Sequence, residues 1–98
     1  MTILENEDLN ELTKEGLHLV DFYADWCGPC KMMGEVLNEV TSINIIKVNT
    51  DKHSEIALKH GIMSIPTLLF IKNGEILRKE IGFIEKDRLE EIIEECKK

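Results

Sequence analysis

Apolar positions along the chain change rhythm several times, and each rhythm predicts an element. Leu17-His-Leu-Val-Asp-Phe-Tyr-Ala24 is apolar on both sides of an extended chain, as a strand covered on both faces must be. Met33, Val36, Leu37 and Val40 then recur at i, i+3, i+4 and i+7, the spacing of an amphipathic helix. Pro29 suits the first position of that helix, because it brings the right φ and its missing N–H would be unpaired there anyway. Asn44-Ile-Ile-Lys-Val-Asn49 predicts a strand, and Ser54 to His60 a short helix closed by Gly61. Thr67 to Lys72 and Glu75 to Ile81 are strands flanking Asn73-Gly74, a pair that tolerates positive φ and so marks a tight hairpin. Leu89, Ile92, Ile93 and Cys96 make the stripe of a last helix, from about Glu85 to Cys96. Ahead of all this, Thr2 to Leu4 has room for only a very short strand. Asn6 is the expected N-cap of a first helix, with Glu7 and Asp8 in its first turn, Leu9 and Leu12 on its apolar face and Gly16 closing it.

The predicted order is βαβαβ, a short helix, then ββα. Helical crossovers imply parallel strands in the first half, and the hairpin adds antiparallel ones. This is an α/β architecture: a central mixed sheet with helices on both faces. At 98 residues the chain, 1–98, is expected to be a single domain with one real core. Apolar residues at 43% and charged residues at 32% are a globular balance rather than a disordered one. Twelve basic against nineteen acidic side chains give a net charge of −7, which repels phosphate backbones and anionic lipid, so nucleic-acid and membrane partners are not expected. No apolar run approaches the ~20 residues of a membrane span, and the acidic start, Met1-Thr-Ile-Leu-Glu-Asn-Glu-Asp8, lacks the features of a signal peptide. The expectation is a soluble, cytoplasmic protein whose thiols are reduced by default.

That expectation bears on Trp26-Cys-Gly-Pro-Cys30. Three cysteines are too few, and odd in number, for a secreted disulfide framework. Residues three apart at a helix start lie ~5–6 Å apart at Cβ, close to the span of a disulfide. Cys27 falls just before the first turn, where unpaired N–H groups and the helix dipole favour a thiolate; Cys30 lies further in, shielded by its own turn. The asymmetry assigns attack to Cys27 and resolution to Cys30. Zinc is the rival reading. A structural zinc site needs four ligands, and the other candidates, Cys96, His18, His53 and His60, form no second close pair. Cys96 itself completes an apolar stripe and reads as core. Asp21, which interrupts an apolar strand, has two readings: a polar residue reaching water at a strand end, or a buried carboxylate with a raised pKa.

At these residues the chain resembles the thioredoxin family. Trp26-Cys-Gly-Pro-Cys-Lys31 is similar to its active-site motif, and Asp21, in Val-Asp-Phe-Tyr-Ala, precedes it as in that family. Ile65-Pro66-Thr67 is similar to its cis-proline segment, Lys72-Asn-Gly-Glu75 to its hairpin, and Gly82 to its later glycine. The likeness runs from about Leu17 to the C-terminus. Some features depart from it. The helix after the cysteines has Met33-Gly34-Glu35 where the family carries a kinking proline, that helix and the next loop are several residues shorter than usual, and the first strand is vestigial, as in a compact member; Tyr23, where tryptophan is common, is a milder change.

The resemblance implies a thioredoxin-like fold and a small protein-disulfide reductase with no bound cofactor beyond a redox-active Cys27–Cys30 disulfide. It implies that Asp21 takes a proton from Cys30, with Lys47 nearby. It further implies that Ile65 and a cis Pro66 lie beside the thiols, where an extended substrate adds as a strand. Trp26, Gly28, Pro29, Met63, Ile65, Gly82 and Phe83 are then the rim around Cys27. The expected partners are disulfide-containing proteins and a thioredoxin reductase-like electron donor, flavin- and NADPH-dependent, with the chain acting as a monomer. Two alternatives stand beside this: a glutaredoxin-like, glutathione-using reductase, and a binding subunit that keeps the fold without turnover.

Overall fold

The middle of the sheet is the strand that is apolar on both faces. In the computed structural model, which describes residues 1–98, strand β2 (Leu17–Tyr23) is flanked by β3 (Asn44–Asn49) and β4 (Thr67–Lys72). The short β1 (Thr2–Ile3) and the longer β5 (Glu75–Ile81) are the two edges, giving the order β1-β3-β2-β4-β5. β1 and β2 run parallel to β3, while β4 runs antiparallel to β2 and to β5. The mixed sheet expected from the order of elements is therefore present.

Strand alternation divides the core into two layers. Leu19, Ile45, Leu68 and Phe70 face α2 (Gly28–Asn38) and α4 (Lys86–Lys97), meeting Met33, Leu37, Leu89, Ile92, Ile93 and Cys96. Val20, Phe22, Ile46, Val48, Leu69 and Ile71 point the other way, toward Leu9 of α1 (Leu9–Leu12) and Ala57 of α3 (Ser54–Lys59). Cys96 is buried, as its place in the stripe predicted.

The Asn73–Gly74 turn has positive φ at both residues, 51° and 82°, as a two-residue hairpin connection requires. It also ties down the approach to β2. The Gly16 N–H donates to Asn73 Oδ1, and the Asn73 N–H donates to the Gly16 carbonyl. At Gly61 the expected closure of α3 is complete: the Gly61 N–H donates to Leu58 O and the Ile62 N–H to Ala57 O.

The first helix departs from expectation. It is one turn long, and its N-cap is Asp8 rather than Asn6; the Asp8 carboxylate accepts from the Asn10 N–H. Leu9 is buried, whereas Leu12 is exposed, and Thr13 turns inward with its hydroxyl on the Leu9 carbonyl. Gly16 does have positive φ, but it belongs to the link before β2 and does not close the helix. So short a helix has little stability of its own, and docking of one leucine decides where it begins.

Candidate active site

The thiol pair sits where β2 ends and α2 begins. Cys27 is the N-cap of α2, with extended backbone, and its Sγ accepts the Cys30 N–H at 3.2 Å. Gly28 is the first helical residue and Pro29 follows it, one position later than predicted; its missing N–H still costs no helical bond. The two Cα atoms are 5.2 Å apart and the sulfurs are joined as a disulfide.

In this state exposure does not separate the two cysteines, since each is 4% exposed. The sequence predicts Cys30 to be the shielded one, and here both are. What separates them is the groove, which Cys27 lines and Cys30 does not. The groove holds about 560 Å³ and runs between the start of α2 and the segment after α3. Trp26, Gly28, Pro29 and Ile65 line it, as does Met63, 96% exposed. Thr50, Ala57, Ile62 and Ser64 complete the wall, and nothing in their local sequence marks them. Trp26 is largely exposed and is braced by its indole N–H, which donates to Asp51 Oδ2 at 3.0 Å. Asp51 is placed by Asn49, whose side-chain oxygen accepts the Asp51 and Lys52 N–H groups.

The Ile65–Pro66 bond is cis, and the Ile65 carbonyl oxygen lies 3.9 Å from Cys27 Sγ. Pro66 is buried and does not line the groove, and neither does Gly82 or Phe83. Gly82 instead supports the segment from behind, donating its N–H to the Pro66 carbonyl at 2.8 Å with a φ of 94°. No three His, Cys, Asp or Glu side chains gather as metal ligands would.

Asp21 is fully buried, and neither carboxylate oxygen has a hydrogen-bond partner. Desolvation pushes its pKa from 3.8 up to about 6, and Lys47 pulls against that rise. Asp21 and Lys47 are cross-strand partners in the β2–β3 register, and Leu68 is the partner of Asp21 on β4. Alternation puts Asp21 on the same face as Leu19, the face that α2 covers. The Lys47 ammonium stops 3.9 Å from Asp21 Oδ2 and lies 4.5 Å from the centroid of the Tyr23 ring. A buried carboxylate titrating near neutrality, under the helix that carries the cysteines, is able to exchange a proton at physiological pH.

Known proteins resemble this chain in sequence and in fold. The thioredoxin family model matches residues 2–95. Thioredoxin of Bacillus subtilis is 45% identical over 86 residues, 83% of each chain. Thioredoxin of Staphylococcus saprophyticus is 43% identical over 101 aligned residues, covering 96% of this chain and 97% of that one. The structure of a mutant thioredoxin from Halobacterium salinarum superposes with a TM-score of 0.88 at 30% identity, over 99% of this chain and 90% of that one. Fold, sequence and paired thiols agree: the chain belongs to the thioredoxin family and is a protein dithiol–disulfide oxidoreductase.

Proposed function

We propose that the chain works as a monomeric, single-domain cytoplasmic electron carrier, with Cys27 as nucleophile, Cys30 as resolving thiol and Asp21 as the acceptor of the Cys30 proton. In the reduced protein, the Cys27 thiolate attacks one sulfur of a substrate disulfide. A mixed disulfide forms and the first substrate thiolate leaves. Asp21 then takes the proton of Cys30, and the Cys30 thiolate attacks Cys27 Sγ. The second substrate thiolate leaves, the Cys27–Cys30 disulfide remains, and two electrons have passed to the substrate. A flavin- and NADPH-dependent reductase of the thioredoxin reductase kind returns them. Lys47 moderates the basicity of Asp21.

The observation that carries the division of roles is the cap. Cys27 Sγ accepts a backbone N–H at the positive end of α2, an arrangement that stabilises a thiolate, and it faces the groove. Trp26, Gly28, Pro29 and Ile65 suit an apolar, extended substrate segment, and Pro66 and Gly82 hold the Ile65 carbonyl beside the sulfur. The net charge of −7 favours protein partners over nucleic acid or anionic lipid.

Trapping tests this reading. Cys30→Ser should capture substrates as covalent adducts that dithiothreitol releases, because a serine hydroxyl cannot displace the bound sulfur. Cys27→Ser should capture none. Equal trapping by both variants on non-reducing gels of a treated lysate would remove the assignment of roles.

A further inference from the structure

Lys47 is held short of Asp21. Its ammonium nitrogen is 3.9 Å from Oδ2, outside hydrogen-bond range, and one face of the amine rests on the Tyr23 ring at 4.5 Å. On the α2 side it meets Gly34, where a Cβ would come within 3.4 Å of Nζ. That distance is van der Waals contact, so a methyl group just fits and any atom beyond it would take the place of the ammonium. An aromatic face and an absent side chain therefore bracket one charge.

We propose that Tyr23 and Gly34 are positioning residues that hold the Lys47 ammonium beside Asp21 and thereby set how readily Asp21 accepts the Cys30 proton. This rests on the reading of Asp21 as that acceptor. The surroundings leave Lys47 as the main lever. From β4, Asp21 is met by Leu68, and α4 presents Leu89, Ile92 and Ile93 to this face. Glu80 on β5 is in register with Leu68, two strands from Asp21, and is paired with Arg78. On α2 the charged side chains, Lys31 and Glu35, are both exposed, the two cysteines are tied up in the disulfide, and on β2 itself the neighbour is Tyr23.

Without the ring, the four-carbon stem of Lys47 swings toward water, where an ammonium is better hydrated. Coulomb attraction falls with both distance and the higher dielectric. Asp21 then holds its proton to higher pH and is a poorer acceptor near neutrality. A bulky side chain at position 34 displaces the amine to the same effect.

The test follows the Asp21 carboxyl carbon by NMR through a pH titration of the disulfide form, alongside the pH profile of resolution in single-turnover kinetics. Tyr23→Leu, Gly34→Leu and Lys47→Met should each raise the Asp21 midpoint by about one pH unit, and Tyr23→Phe, which keeps the ring, should restore it. In a Lys47→Met background, Tyr23→Leu and Gly34→Leu should add nothing, which a purely structural role would not produce. Unchanged midpoints, or the same shifts with Lys47 already gone, would overturn the inference. A midpoint that moves while the resolution profile stays would overturn Asp21 as acceptor and leave the positioning of Lys47 standing. If Gly34→Leu does not fold, the Tyr23→Leu and Lys47→Met cycle decides the matter alone.

Discussion

Replacing Asp21 by asparagine keeps the shape of the side chain and removes its charge, so it isolates the cost of ionising a buried group. The carboxyl titrates at about 6 in the folded protein, against 3.8 when unburied. At about 1.4 kcal/mol per pH unit, that gap amounts to about 3 kcal/mol. Below pH 4 the folded and unfolded chains both hold the proton, and wild type and Asp21→Asn should have similar stability. Between pH 4 and pH 6 the unfolded chain loses its proton while the folded one keeps it, so wild-type stability falls relative to the variant as pH rises. Above about pH 6 the folded carboxyl is ionised as well, and the gap should level off with the variant ahead by about 3 kcal/mol. Urea unfolding of both proteins at half-unit steps from pH 3.5 to 8 measures the difference directly, because the other carboxylates cancel between them. A pH-independent offset, or a variant less stable than wild type at pH 7.5, would refute the claim that desolvation dominates at Asp21. In stopped-flow exchange the same variant should form the mixed disulfide at the wild-type rate and release it more slowly.

Gly82→Ala should destabilise the fold by about 1–3 kcal/mol, since Gly82 has a φ of 94° that a Cβ disfavours, and should weaken exchange by loosening the Pro66 segment; denaturant titration and insulin reduction check both. Cys96→Ser should lower stability by about 1 kcal/mol, because a hydroxyl replaces a buried thiol, and leave exchange intact. Loss of exchange in a folded Cys96→Ser protein would show a working third thiol.

Much of the site's chemistry was readable in order along the chain because it depends on near neighbours. The spacing of Cys27 and Cys30, the proline inside the first turn and the capping position all act over three or four residues. The same holds for the Asn73–Gly74 turn, where backbone preference at two residues suffices. Asp21 was ambiguous in sequence because an acid in an apolar run is equally consistent with a solvated strand end. Its burial depends on α2 lying across the sheet, and α2 is placed by Met33 and Leu37 against strands distant in the chain.

Local sequence therefore determined the kinds of element, their order and the presence of a paired thiol at a helix start. Tertiary structure decided the rest. It put β2 between β3 and β4, which brings Lys47 and Leu68 to either side of Asp21. It carried Ile65 to Cys27 across 38 residues of chain, and Asp51 to Trp26 across 25. It completed the groove with Thr50, Ala57, Ile62 and Ser64, and set Gly34 against Lys47. The first helix, expected to lie between Asn6 and Gly16, is a single turn capped by Asp8 and docked through Leu9. Each of these outcomes is a contact between residues far apart in sequence, chosen by which apolar faces can be buried together, and periodicity or capping in a single segment carries no information about such a choice.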